Sequence, residues 1–170
     1  MEIIKRKVNF NNTKEVLKCI TYIDLDNLDS AGLYSSEVDN VSSIISAMKQ
    51  VRNKLIVFQR NFPKKYGSNT KYAIIEGRDI GTIIFPKANY KIFLWAASEV
   101  RAKRRYEQLR NNGKNVSYSK IFSEINVRDR KDMTRKIAPL MPAANSVLLD
   151  TTYLDIEQAF NALKEILIRI

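Results

Sequence analysis

The chain has 170 residues, 45% hydrophobic and 28% charged, with a formal net charge of +11, enough for one soluble domain with a buried core. It has no histidine and one cysteine, Cys19, which excludes Ser-His and Cys-His catalysis, a disulfide framework and a His-ligated or multi-Cys metal site. No apolar run approaches the roughly 20 residues of a bilayer span, and the opening Met-Glu-Ile-Ile-Lys lacks an apolar signal segment, so the expectation is a reduced, cytoplasmic protein away from membranes.

Residues 1 to 32 carry weak signals. Lys7 to Asn12 reads as a short strand or turn, and Lys14 to Ile23 is ambiguous between helix and strand. From Ser36 to Phe62 the apolar Val38, Val41, Ile45, Met48, Leu55 and Phe58 recur at helical spacing, with Lys49-Gln50 as a break. Asn61 to Thr70, holding Pro63 and Gly67, reads as a loop. Tyr72 to Ile75, Tyr90 to Trp95 and Ser146 to Asp150 are short, nearly continuous apolar runs, as in parallel strands covered on both faces. Ser98 is placed to cap a helix to about Asn111, which Asn112-Gly113 would end. A second basic helix is expected over about Ser117 to Lys136. A last helix starts near Asp155, with Gln158 at capping-box spacing and a stripe of Ile156, Phe160, Leu163, Leu167 and Ile170 to pack on the sheet. This alternation predicts an α/β layered fold.

The charge is concentrated. Between Arg101 and Lys136 stand twelve Lys/Arg against four Asp/Glu, a net +8. A solvated basic face, a nucleic-acid patch and a pocket for nucleotide phosphates all fit that number. A stacking platform for nucleic acid is not evident, since only Tyr106, Tyr118 and Phe122 fall within the basic run. The most informative stretch is Glu76-Gly77-Arg78-Asp79-Ile80-Gly81-Thr82, directly after Tyr72-Ala73-Ile74-Ile75. It sets a cation and a carboxylate at the carboxyl edge of an expected strand, where α/β sheets bind ligands. Arg128, Asp132 and Arg135 follow at i, i+4 and i+7, which a helix would place on one face. Taken alone, that spacing fits a surface ion pair worth a few tenths of a kcal/mol better than a substrate face.

These residues, with Phe85-Pro86, Lys91 to Leu94, Arg101 to Leu109, Glu124-Ile125, Arg128 to Asp132, Ala138-Pro139-Leu140 and Asp150-Thr151-Thr152, stand in an order that resembles bacterial cytidylate kinases from about Leu33 onward. The resemblance implies the three-layer P-loop nucleoside monophosphate kinase fold with a parallel sheet. It also implies transfer of the γ-phosphoryl of ATP to CMP or dCMP with Mg²⁺. It maps residues 1–62 to the acceptor-nucleotide region, 71–100 and 137–170 to the core of a single domain, and 101–116 to a lid-like segment. By the same resemblance Arg78 holds the monophosphate, Arg128 and Asp132 the sugar, and Asp79, Ser43, Arg52 and Arg135 the base. Arg101, Arg104 and Arg105 face the phosphate donor, and Arg78, Asp79, Arg101 and Arg105 form the catalytic set. Phosphoryl transfer asks for positioning and charge stabilisation, which arginines supply.

The resemblance is incomplete at one end. The glycines Gly32, Gly67, Gly77, Gly81 and Gly113 stand in no G-x-x-x-x-G-K-[ST] pattern. The family's opening strand, phosphate loop and helix have no counterpart here, so the expectation is a donor side lacking its Mg²⁺ ligand. Three origins fit: a truncated or decayed remnant that binds CMP without turnover, a split enzyme completed by a complementing chain, or a mis-called start. Tyr34 and Trp95 also depart from the family pattern.

Overall fold

The computed structural model describes residues 7–20, 36–46, 48–66 and 71–169. The chain divides into two compact units, Met1–Ile74 and Ile75–Ile170.

In the first unit, the ambiguous early segment is helix α1, Thr13–Ile20. Asn12 caps it: its Oδ1 accepts from the amides of Lys14 at 3.1 Å and Glu15 at 3.4 Å, while Glu15 Oε1 accepts from Asn12 Nδ2 at 2.8 Å. Satisfying otherwise orphaned amides in this way stabilises a helix start by about 1 kcal/mol. The expected helical stretch resolves into α2, Ser36–Ser46, and α3, Lys49–Tyr66, with the break falling just before Lys49. α3 runs past Pro63, where a loop was expected. Pro63 lies in the last turn, so its missing N–H removes one bond near an end that frays in any case. Val16, Cys19, Val41 and Val51 form the buried core, flanked by Val8, Phe10, Ile45, Met48 and Leu55. Tyr34 lies outside the described residues.

The second unit holds a two-stranded parallel sheet, β1 (Ile92–Trp95) beside β2 (Val147–Asp150), in the register Ile92↔Val147 to Trp95↔Asp150. The α/β class with parallel strands is therefore as expected, and two of the three predicted strands form. The third does not: residues 72–77 are irregular, and Ile74 is 90% exposed. An apolar run of strand composition needs a hydrogen-bonded neighbour to become a strand, and the described sheet pairs only β1 with β2.

Between the strands come α4, Ser98–Asn111, and α5, Tyr118–Thr134, which pack on each other over Ala102 and Ile121. α4 begins after Ala97, and Ser98, the expected cap, turns its Oγ to Glu99 instead. Its end is as expected. Gly113, at φ 73°, donates to the Arg110 carbonyl, and Lys114 donates to the Leu109 carbonyl; this is the Schellman pattern. The last helix, α6, spans Ile156–Arg169 behind a reciprocal box, Asp155 N–H to Gln158 Oε1 at 3.0 Å and Gln158 N–H to Asp155 Oδ1 at 2.8 Å. Its expected stripe is corrected. Ile156 is 91% exposed, Phe160 and Leu167 are exposed, and Ile170 lies outside the described residues. The half-buried face is Leu163, as expected, with Ala159, Ala162 and Ile166, and its two alanines allow close approach to β2, on which α6 packs. Among the described residues no helix is long and apolar enough to cross a membrane.

Candidate functional site

The carboxyl edge of the sheet is tied together by short polar contacts. Beyond β1, the Ala97 amide donates to Thr152 Oγ1 at 3.0 Å, and Arg101 Nε donates to the Ala96 carbonyl at 2.8 Å. Arg101, in the first turns of α4, is thus anchored where ligands of α/β sheets bind. The chain enters the same region through Gly77, at φ 158°, where a Cβ would lie 2.7 Å from Ile80 Cγ1. Only glycine fits so close an approach. Asp79 then starts a π-helical turn, Ile80–Ile84, its carbonyl accepting from the amides of Ile83 at 2.9 Å and Ile84 at 3.3 Å. Such turns are rare and concentrate at functional sites.

Arg78, set between Gly77 and this turn, reaches the last turns of α5. Its Nη1 lies 2.5 Å from Asp132 Oδ2 and 3.3 Å from Asp129 Oδ1. The other oxygen of Asp129 meets Arg101 Nη1 at 2.6 Å, and the other oxygen of Asp132 meets Arg135 Nη1 at 3.3 Å. The result is an alternating row, Arg101–Asp129–Arg78–Asp132–Arg135, of three cations and two anions. The carboxylates are the most covered members, with side chains 17% and 13% exposed, against 20% for Arg135, 34% for Arg78 and 35% for Arg101. Each carboxylate is flanked by two guanidiniums, so desolvation is offset by paired attraction. The guanidiniums are not exhausted. Among the described residues Arg78 meets protein only through Nη1, leaving its Nη2–Nε edge open. That edge is the planar fork that binds two phosphate oxygens at once.

Arg135 corrects the helical i+7 placement. α5 ends at Thr134, and Arg135 has extended backbone, φ −64° and ψ 141°. Its Nε donates to the Ala138 carbonyl at 2.5 Å, and the Leu140 amide donates to the Asp132 carbonyl at 2.8 Å. The segment therefore folds back over the end of α5. Ala138 takes a left-handed φ of 51° there, at a cost of about 1–2 kcal/mol for a residue with a Cβ. Arg135 reaches Asp132 by this turn and not along a helix face, while Arg128 lies exposed on α5.

The lid-like arginines separate. Arg101 joins the cluster. Arg104, expected on the donor side, reaches back to the β2–α6 connection, Nη2 donating to the carbonyls of Thr151 at 2.6 Å and Leu154 at 2.9 Å. Arg105 lies along α4, Nη1 donating to Gln108 Oε1 at 2.8 Å. Ser43 stands on α2, but its side chain lies outside the described residues. Arg52 belongs to the first unit, on α3, where Nη1 donates to the Ser46 carbonyl at 3.2 Å. Asp129 is a member of the cluster that the sequence reading did not single out. Its signal is the i, i+3 spacing from Asp132, masked by the basic residues on both sides.

The aromatics of the basic segment pack on one another, Tyr106 edge-on to Tyr118 at 6.2 Å and Tyr118 stacked with Phe122 at 6.1 Å. No three His, Cys, Asp or Glu side chains among the described residues come together in a way that could hold a metal ion. Both carboxylates of the cluster are already held by guanidiniums.

Comparison with known proteins gives one family. The family model "Cytidylate kinase" matches residues 2–168. The chain is 44% identical to a cytidylate kinase of Methylocella silvestris over 81% of its own length and 62% of that protein. It is 37% identical to the cytidylate kinase of Fusobacterium nucleatum, over 94% of this chain and 75% of that one. It is 34% identical to cytidylate kinase 1 of Haemophilus influenzae, over 93% and 72%. The chain thus spans less than two thirds of the Methylocella relative's length.

Proposed function

The chain belongs to the cytidylate kinase family, with the P-loop nucleoside monophosphate kinase fold that this entails, and from that premise we propose that it binds CMP or dCMP for phosphorylation by ATP. The observation that carries the reading is the open Nη2–Nε edge of Arg78 beside two covered carboxylates. A monophosphate dianion would take the open edge as a bidentate pair while Nη1 stays on Asp132 and Asp129. Asp132 uses each oxygen once. A carboxylate oxygen has a second lone pair, so Asp132 can still accept from a sugar hydroxyl. Asp79, at the start of the π-turn, is assigned the exocyclic amino group of cytosine. An ionised acceptor there rejects uracil, whose carbonyl would face it unpaired. Arg128 and Arg135 complete the acceptor set of this unit, and Ser43 and Arg52 of the first unit are assigned to the base by the family resemblance alone.

On the donor side we assign Arg101 alone from this chain's described arginines, since Arg104 and Arg105 engage Thr151, Leu154 and Gln108. Arg101 would stabilise charge on the transferring group, and such electrostatic stabilisation is the main help a protein gives to phosphoryl transfer. Mg²⁺, generally carried with ATP, would neutralise donor phosphates. The described residues do not fit a protein-built site for it.

The test is CDP formation from ATP, CMP and Mg²⁺ by the purified chain, with Asp79→Ala as control. CDP formed by the parent, and formed by the control with a weakened preference for CMP over UMP, supports the reading. CMP bound with no CDP formed restricts it to the acceptor side. Neither binding nor turnover overturns it.

A further inference from the structure

Asp129 has no role in CMP binding as proposed, yet it sits within the charge row, between two of its cations. Its two oxygens go to different elements: Oδ1 to Arg78, from the segment before the π-turn, at 3.3 Å, and Oδ2 to Arg101, on α4, at 2.6 Å. The side chain is 17% exposed, so neither contact is a loose surface pair. Two guanidiniums facing one site repel, and a shared carboxylate between them is what lets both stay.

Their remaining donors point to the purpose. Arg78 keeps Nε and Nη2 without a protein partner among the described residues, and Arg101 keeps Nη2, its Nε being fixed on the Ala96 carbonyl. We infer that Asp129 is a positioning residue: it holds Arg78 and Arg101 as an oriented pair, so that Arg78 meets the acceptor's phosphate with Arg101 already in place beside it for the transferring group. This rests on the reading that Arg78 takes the monophosphate. It adds that the first cation of the lid-like helix is coupled to that phosphate through one carboxylate. Preorganising both donors removes an ordering cost that would otherwise fall on binding.

The sign of one substitution separates positioning from simple charge. If Asp129 only subtracted charge from the pocket, Asp129→Asn would raise the local positive charge and tighten CMP binding. A positioning residue predicts the opposite. In calorimetric titrations, Asp129→Asn weakens CMP about tenfold, the worth of one disturbed charge-assisted hydrogen bond, and leaves cytidine within about twofold. Asp129→Glu recovers part of the loss. Tighter or unchanged CMP binding in Asp129→Asn overturns the inference.

A second arm needs no nucleotide. In ¹⁵N-labelled protein, Arg101→Ala shifts the Arg78 Nε–Hε resonance in the parent background and leaves it unmoved in the Asp129→Asn background. Equal shifts in both backgrounds overturn the coupling. If the parent binds CMP no better than cytidine, the functional reading falls, and this arm still decides the role of Asp129.

Discussion

At the end of α5, Arg78 and Arg135 converge on Asp132, and Arg78 keeps an open edge. Along α4, three arginines close in sequence go three ways: Arg101 to Asp129, Arg104 to the carbonyls of Thr151 and Leu154, and Arg105 to Gln108. Each of these arginines adds one positive charge, but only Arg78, Arg135 and Arg101, which share the two carboxylates, have the geometry of an anion site. What separates them is the acceptor within reach. A guanidinium that finds backbone carbonyls becomes a clamp, whereas one that shares a carboxylate at a sheet edge keeps donors for a ligand.

The strongest way to break this contrast is at its carboxylate. Asp132→Ala leaves Arg78 and Arg135 facing each other without it, and costs about 2–3 kcal/mol in urea unfolding. The same variant affects CMP and dCMP unequally, and equal effects would remove Asp132 from the sugar site. Asp79→Ala lowers the preference for CMP over UMP about tenfold, the scale of one charge-assisted hydrogen bond. An unchanged preference would take Asp79 away from the base. Arg104→Ala lowers stability by about 1 kcal/mol, because the carbonyls of Thr151 and Leu154 lose this donor and water only partly replaces it. It leaves CMP affinity unaltered; weaker CMP binding would return Arg104 to the nucleotide. Arg105→Ala is the smallest change, within about 0.5 kcal/mol in stability and without effect on CMP.

What the sequence disclosed follows the range of the forces involved. Local signals were legible: Gly113 closing α4, Asp155 and Gln158 boxing α6, and two of three parallel strands. The stretch Glu76 to Thr82 stood out because glycine, arginine and aspartate there have few other reasons to adjoin, and its Arg78 does reach the charge cluster. Non-local matters were not legible. Tyr72 to Ile75 has strand composition, but strand formation depends on a neighbour that composition does not reveal. The phase of α6 is misread when large apolar residues are assigned to the buried face, whereas alanines help make it. Asp129 escapes notice because its partners, Arg78 and Arg101, lie on other elements. Arg135 falls on a helix face by spacing because nothing in its neighbourhood announces that α5 stops at Thr134.

The open edge of Arg78 is tested most directly by comparing CMP and cytidine affinity in the parent and in Arg78→Met. The parent is expected to prefer CMP by about 10- to 100-fold, the worth of a charge-assisted bidentate contact, and Arg78→Met to lose that preference while binding cytidine nearly as before. An equal preference for CMP in both proteins would place the phosphate elsewhere and contradict the site.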